Sequence, residues 1–354
     1  MADQDLTQEL CERVRVAAKS GTPLCIRGGG TKDFYGRQCA ATDVLDVGSH
    51  RGILSYEPTE LVLTARCGTP LREVRAALAE KGQQLPFEPP AFGDEATLGG
   101  VVAAGLAGPR RAFAGGVRDS LLGVRLLNGR GEALQFGGQV MKNVAGYDLS
   151  RLSAGAMGTL GVLLELSVKV LPKPAFERTV VFALDEEAAL ERMKALARSP
   201  LVITATAHDG ESLYVRACGG ERALEAAEQA LGGDPLPESE TFWQSVREQT
   251  HGFFAGELPL WRLSVPPATP ALHLGPSFIE WSGAQRWVFS DAPAETIHTA
   301  ASAHGGHATL FRGHDGAVEV FQPLPEKLMQ IHRNVKQAID PVGSFNPGRM
   351  YSEF

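Results

Sequence analysis

Residues 27–32 read Arg-Gly-Gly-Gly-Thr-Lys, RGGGTK, and they follow directly on the short apolar run Pro23 to Ile26. Three successive glycines after a strand let the backbone adopt positive φ and turn several N–H groups into one concavity. Such a nest holds phosphate oxygens without needing a cationic side chain. Thr31 adds a hydroxyl and Lys32 a charge. Two familiar phosphate motifs are excluded. The G-x-G pairs at 28/30 and 129/131 are followed by Asp33 and Leu134 where a dinucleotide fingerprint needs its third glycine, and no GxxxxGK[ST] string occurs.

Two further glycine-rich segments lie downstream. TLGGVVAAGLAG, Thr97 to Gly108, carries no side chain suited to chemistry, so its small residues serve close approach to backbone. Residues 142–168, KNVAGYDLSRLSAGAMGTLGVLLELSV, place Gly155, Gly158 and Gly161 at steps of three before a strand. Between and around these, apolar spacing at Leu6, Leu10, Val14 and Ala18 predicts a helix over 6–20. A second helix fits Leu71 to Glu80, closed by Lys81 and Gly82. Asn128-Gly129-Arg130-Gly131 between the apolar runs 121–127 and 133–136 predicts a hairpin.

After Pro174 glycine thins out, and short apolar runs alternate with polar helical stretches such as 185–198 and 220–231. This pattern predicts a separate α+β domain. The expected organisation is residues 1–174 as one domain, 175–325 as an α+β cap with an antiparallel sheet, and 326–354 as a helix and tail returning to the first.

The totals exclude several classes. The 354 residues carry a net charge of −7 with no basic run, which leaves no electrostatic footprint for nucleic acid. No apolar stretch approaches the roughly 18–20 residues of a membrane span, and the polar start MADQDLTQELCERV shows no targeting signal, so a cytoplasmic protein without direct membrane insertion is expected. The five cysteines, Cys11, Cys25, Cys39, Cys67 and Cys218, form no CxxC pair, so no metal site is expected and an iron–sulfur centre would have to sit on another chain.

Taken together, RGGGTK, Thr97-Leu98-Gly99-Gly100, Arg118-Asp119-Ser120-Leu121-Leu122-Gly123 and Gly158-Thr159-Leu160-Gly161 resemble, in order, the motifs of the vanillyl-alcohol-oxidase (PCMH-type) FAD-binding domain. That resemblance implies two small α+β subdomains holding FAD. It assigns to the cofactor Arg27, Gly28, Gly29, Gly30, Thr31, Lys32, Thr97, Leu98, Gly99, Gly100, Ala103, Gly105, Arg118, Asp119, Gly158, Gly161, Val162, Asn346 and Arg349. Residues 27–32 and 97–108 hold no His or Cys, so the FAD is expected to be non-covalent.

Residues 142–152, 279–287 (IEWSGAQRW), 305–313 (GGHATLFRG) and 340–351 (DPVGSFNPGRMY) extend the resemblance to the FAD-binding E subunits of bacterial glycolate oxidases. Members of that family act beside a larger FAD-binding subunit and an iron–sulfur subunit, on glycolate or a related 2-hydroxy acid. Such chemistry needs a cation for the carboxylate, for which Arg286 and Arg312 are candidates, and a base near neutral pKa, for which His307 is the candidate. The GHxGDGNxH metal motif of larger relatives is missing, although His304, His307 and His314 are present. Two alternatives stay open: a flavin-bearing electron-transfer or structural subunit, and a stand-alone oxidoreductase on an acid such as D-lactate.

Overall fold

The computed structural model describes residues 3–138, 148–314 and 319–354, so the expectation for 142–147 lies outside the described residues. The chain divides into two compact units. The first comprises Met1–Leu106, Gly116–Pro172 and Gly316–Phe354, and the second Ala107–Gly115 and Lys173–Asp315.

In the first unit the helix Thr7–Ser20 buries Leu10, Cys11, Val14 and Ala17 and ends at Gly21 with φ +67°. It leads into the strand Leu24–Arg27, which pairs in parallel with Asp43–Asp46. The other edge of Leu24–Arg27 is bonded by the tail, where the Leu24 N–H donates to the Ser344 carbonyl and the Asn346 N–H to the Leu24 carbonyl. A five-stranded antiparallel sheet follows, ordered Ile53–Glu57, Val62–Arg66, Val162–Lys169, Leu121–Leu127, Ala133–Gly137. Its inner strand Val62–Arg66 is buried at every position. Leu171–Pro172 pairs separately with Gln83–Gln84, because the two prolines end the long run of residues 161–174.

The tail helix Glu326–Ile339 ties this unit together through one buried lysine. Lys336 donates to the Thr159 carbonyl (2.7 Å), the Phe345 carbonyl (2.8 Å) and Asp340 Oδ2 (2.7 Å). All three ammonium protons are thereby bonded, and Asp340 in turn accepts from the Ser344 and Phe345 N–H groups. Burial alone would make this pair costly, and full hydrogen bonding compensates.

The second unit is built on an eight-stranded sheet. Its order is Asp234–Pro235, Phe176–Ala183, Ser212–Gly219, Ile203–His208, Ser277–Glu280, Gln285–Phe289, Leu260–Ser264, His307–Arg312. Every neighbouring pair is antiparallel. The helix Glu186–Leu196, with Asp185 as its N-cap acceptor, packs Ala189, Leu190 and Met193 on Val180, Leu213 and Val215. Farther along, Ile297 and Ala301 of helix Ala294–Ala303 cover Trp261, Leu263 and Val288.

The segment 107–115 belongs to this second unit, although no change of composition announces it. Specific polar contacts hold it there: the Trp281 indole donates to the Gly108 carbonyl (2.9 Å), and Arg110 meets both Glu177 oxygens at 2.7 and 2.8 Å. Residues 319–325, expected in the cap, group with the first unit, where Tyr35 and Tyr351 pack on Phe321. Among the described residues no helix is long and apolar enough to cross a membrane.

Candidate functional site

A cavity of about 490 Å³ opens in the first unit, within the range of about 300–1,000 Å³ typical of cofactor pockets. Its wall contains the whole run Arg27 to Lys32, together with Thr97, Gly99, Gly100, Ala103, Gly158, Gly161, Asn346 and Arg349. Four segments far apart in sequence thus meet at one concavity.

The glycines of the loop each meet a different steric demand. A Cβ on Gly28 would lie 2.7 Å from Thr97 Oγ1, and one on Gly29 would overlap the Glu95 carbonyl. Gly30 has φ +70°, and the Arg27 guanidinium folds back over it to pair with Asp33 at 3.1 Å. Among the described residues no protein acceptor takes the N–H groups of Gly29, Gly30 or Thr31. Adjacent unbonded amide donors on a cavity wall suit an anionic ligand, and a pyrophosphate has the matching oxygens. The residues present therefore fit a dinucleotide cofactor bound through its phosphates.

The other segments shape the cavity more than they offer donors. Thr97 caps the short helix Leu98–Ala104 by accepting from the Gly100 N–H (3.1 Å). Close packing explains Gly99, whose Cβ would fall 2.7 Å from Cys67 Cβ. Gly158, at φ +74°, leaves room for Asn346, whose side chain accepts from the Ile26 N–H and donates to the Met157 carbonyl, both at 2.7 Å. Arg349 directs its guanidinium at the carbonyls of Arg37, Lys32, Asp33 and Tyr35, at 2.7–3.3 Å. It pins the loop after the glycines. Lys32, too, is turned aside, donating to the Ala91 carbonyl at 3.0 Å.

Five residues assigned to the cofactor lie off the cavity wall. Leu98 and Val162 are fully buried core residues, and Gly105 ends its helix at φ +65° tight against Gly155. Arg118 and Asp119 are exposed on the turn Val117–Ser120, where Asp119 accepts from the Gly116 N–H. That bond closes a tight entry into the strand Leu121–Leu127. Sequence reasoning missed Cys25, Gln38, Cys39 and Cys67 on the cavity wall, since no motif surrounds them.

The three residues expected to do chemistry belong to the second unit and do not converge. Arg286 is 1% exposed and donates to the carbonyls of Thr269, Pro270 and Gly283 at 2.5, 2.6 and 3.2 Å. In this arrangement it clamps three carbonyls, with the Glu186 carboxylate 3.9 Å away. Arg312 lies against Phe311, 5.5 Å from the ring centroid, and burial lowers its pKa. It ends the strand His307–Arg312, roughly 17 Å from His307 at the usual rise per residue.

His307 is exposed at the other end of that strand, opposite Ser264. Its pKa is held below the ordinary value by its packed surroundings and then by the Arg262 charge. The register makes Arg262 its diagonal neighbour on the same sheet face. Arg262 bonds Gln285 through Nε (2.8 Å) and lies over the rings of Trp281 and Trp287, while its guanidinium meets no carboxylate among the described residues. Spacing alone could not have singled it out. No group of three or more His, Cys, Asp or Glu suited to a metal occurs among the described residues.

Comparison with known proteins agrees with this geometry. Residues 5–137 match the family described as "FAD binding domain". The chain is 30% identical over 177 residues to glycolate oxidase subunit GlcD of Bacillus subtilis, covering 49% of this chain and 37% of that one. It superposes on an alkyldihydroxyacetonephosphate synthase with a TM-score of 0.67 at 14% identity, over 96% of this chain and 74% of the other, a likeness of fold. Glycolate oxidase subunit GlcE of Escherichia coli is 47% identical over 350 residues, 99% of this chain and 98% of that one. The chain belongs to the glycolate oxidase GlcE-subunit family and carries that family's FAD-binding domain.

Proposed function

We propose that this chain is the FAD-bearing E subunit of a 2-hydroxy-acid oxidoreductase that converts glycolate to glyoxylate. In this reading it works beside a larger FAD-binding subunit and passes electrons to an iron–sulfur partner. The observation that carries it is the end-to-end match to a glycolate oxidase subunit, joined to a cavity that suits a pyrophosphate. FAD, when bound, supplies the hydride acceptor for the hydroxyl-bearing carbon. Gly29, Gly30 and Thr31 would hold its phosphates through their N–H groups. Asn346 and Arg349 would keep the loop and the strand behind it in place, and the small residues 99, 100 and 103 would let the cofactor lie against backbone.

His307 and Arg262 are the second-unit groups best suited to a hydroxy acid, an imidazole neutral near pH 7 beside a cation. A second reading is favoured by the clamping role of Arg286: the larger subunit oxidises the substrate, and this chain carries flavin for electron transfer. The test is anaerobic. The isolated chain, loaded with FAD, is mixed with glycolate and the visible flavin band followed. Bleaching by the chain alone excludes the second reading. Bleaching only after the larger subunit is added excludes the first, and failure to bind FAD at all defeats both.

A further inference from the structure

Two cysteines stand together on the wall of the cavity. Cys25 is the second residue of the strand Leu24–Arg27, and Cys39 lies in the loop that follows the glycines. The tail brings them to one place. Its residue Asn346 bonds the Leu24 carbonyl, while the next carbonyl, that of Pro347, accepts from the Ala40 N–H at 3.0 Å. The Arg37 N–H likewise donates to the Arg349 carbonyl. The loop is thereby laid over the strand, and Cys39 comes near enough to Cys25 to raise the pKa of its thiol. Both thiols are free and half-buried, whereas Cys67, also on the wall, is sealed at 1% exposure.

We propose that Cys25 and Cys39 are a redox-reactive dithiol whose closure to a disulfide weakens FAD binding in the adjoining cavity. The oxidant class is a hydroperoxide. One thiolate attacks the peroxide oxygen, the O–O bond breaks, and a sulfenic acid forms with release of hydroxide, which takes up a proton as water. The second thiol then attacks that sulfur, the S–O bond breaks, and a second water leaves. Two thiols are oxidised, one peroxide is reduced to two waters, and the electrons balance.

Bond formation draws the two sulfurs to about 2.05 Å, which pulls the loop onto the strand and narrows the wall they share. Burial, and next the neighbouring Cys39, push the Cys25 thiol up to about 11, with Asp33 adding to the rise and Arg349 opposing it. Lys336 faces the pair from the tail helix, close enough for Cys39 to act on its charge. Closure is accordingly slow at neutral pH and accelerates as pH rises. Linkage makes the effect reciprocal: if the disulfide weakens FAD about tenfold, FAD raises the pair's reduction potential by about 30 mV.

This inference rests on the cavity being the FAD site, and its test separates the two. The full chain, FAD-loaded and FAD-stripped, is exposed to hydrogen peroxide, alkylated, and digested without reductant for mass spectrometry. FAD affinity is measured before and after, and again after dithiothreitol. The expected result is a Cys25–Cys39 linked peptide, formed faster in the stripped chain, with FAD binding weakened about tenfold and restored by reduction. Cys25→Ser and Cys39→Ser should each bind FAD equally before and after peroxide; two variants guard against either failing to fold. Separate alkylation of the two cysteines, linkage through Cys67 instead, or a linked pair with unchanged FAD affinity overturns the proposal. A linked pair in a chain that never binds FAD defeats both this proposal and the cofactor reading, whereas FAD binding without linkage defeats this proposal alone.

Discussion

The glycine loop of the first unit and the arginine-bearing sheet of the second handle polarity in opposite ways. In the loop, Gly29, Gly30 and Thr31 present amides that no protein group satisfies among the described residues, on the wall of a cavity. In the sheet, Arg286 gives its guanidinium to three carbonyls, and the Glu280 carboxylate accepts from Gln285 and Trp287 at 2.8 and 2.7 Å. A ligand site shows itself by donors left open, whereas a guanidinium bonded to carbonyls reports architecture. The arginine that looks like a carboxylate receptor on residue type is the least available one.

The sharpest way to break this contrast is Gly29→Val. The added branched side chain would occupy the space of the Glu95 carbonyl and displace the loop. FAD binding is expected to fall at least about 100-fold, a loss of roughly 2.7 kcal/mol or more. The variant should elute colourless on purification while its far-ultraviolet circular dichroism stays that of the parent. A yellow Gly29→Val protein would mean that the loop does not hold the cofactor.

The converse substitution is Arg286→Met. It strands the Thr269, Pro270 and Gly283 carbonyls in a buried site, which should cost about 2–4 kcal/mol of stability, read as a lowered urea midpoint. FAD stoichiometry of the folded protein should not change. If instead the urea midpoint stays put and glycolate turnover collapses, Arg286 is a substrate ligand after all. Between these extremes stands Arg349→Lys. A lysine ammonium has three donors on a flexible stem and cannot reproduce a planar fork reaching four carbonyls. FAD affinity is expected to drop about tenfold, near 1.4 kcal/mol, with the loss confined to binding. An unchanged affinity would show that the loop holds its shape without the clamp.

These differences explain what could be read from the chain alone. The helix Leu71–Glu80 and the strand Leu121–Leu127 lie where local pattern puts them, because their apolar spacing reports directly on burial. Glycines in RGGGTK and GTLG are equally legible, since a missing side chain speaks to local conformation and close approach. Leu98, Gly105 and Val162 were drawn in by belonging to the same motifs, yet they face the core or a neighbouring turn. The strands Ser277–Glu280 and His307–Arg312 are short and mixed in polarity, and they take their place through partners far along the chain. Arg262 becomes visible only through that pairing: nothing at positions 260–264 marks it, and its neighbour His307 lies far along the chain.

The smallest expected effect concerns that pair. Desolvation of the His307 ring by the groups packed around it lowers its pKa first, although the residue reaches the surface, and the Arg262 charge lowers it further. Replacing Arg262 by Gln removes the charge and leaves the packing of the strand His307–Arg312. The His307 pKa should therefore rise, yet remain below 6.5, as followed by NMR titration of its ring protons with His307→Gln identifying the signal. A folded pKa below the unfolded value means that the unfolded chain binds more protons in the window between the two. Stability contributed by neutral His307 is thus present above 6.5 and lost as pH falls toward the folded pKa. The Arg262→Gln variant should narrow that window from below, so less stability is lost on acidification. A pKa that does not move would mean that Arg262 and His307 do not sense one another. The second unit would then lack the coupled cation and base that a hydroxy acid requires, which would favour the reading in which this chain carries flavin for electron transfer.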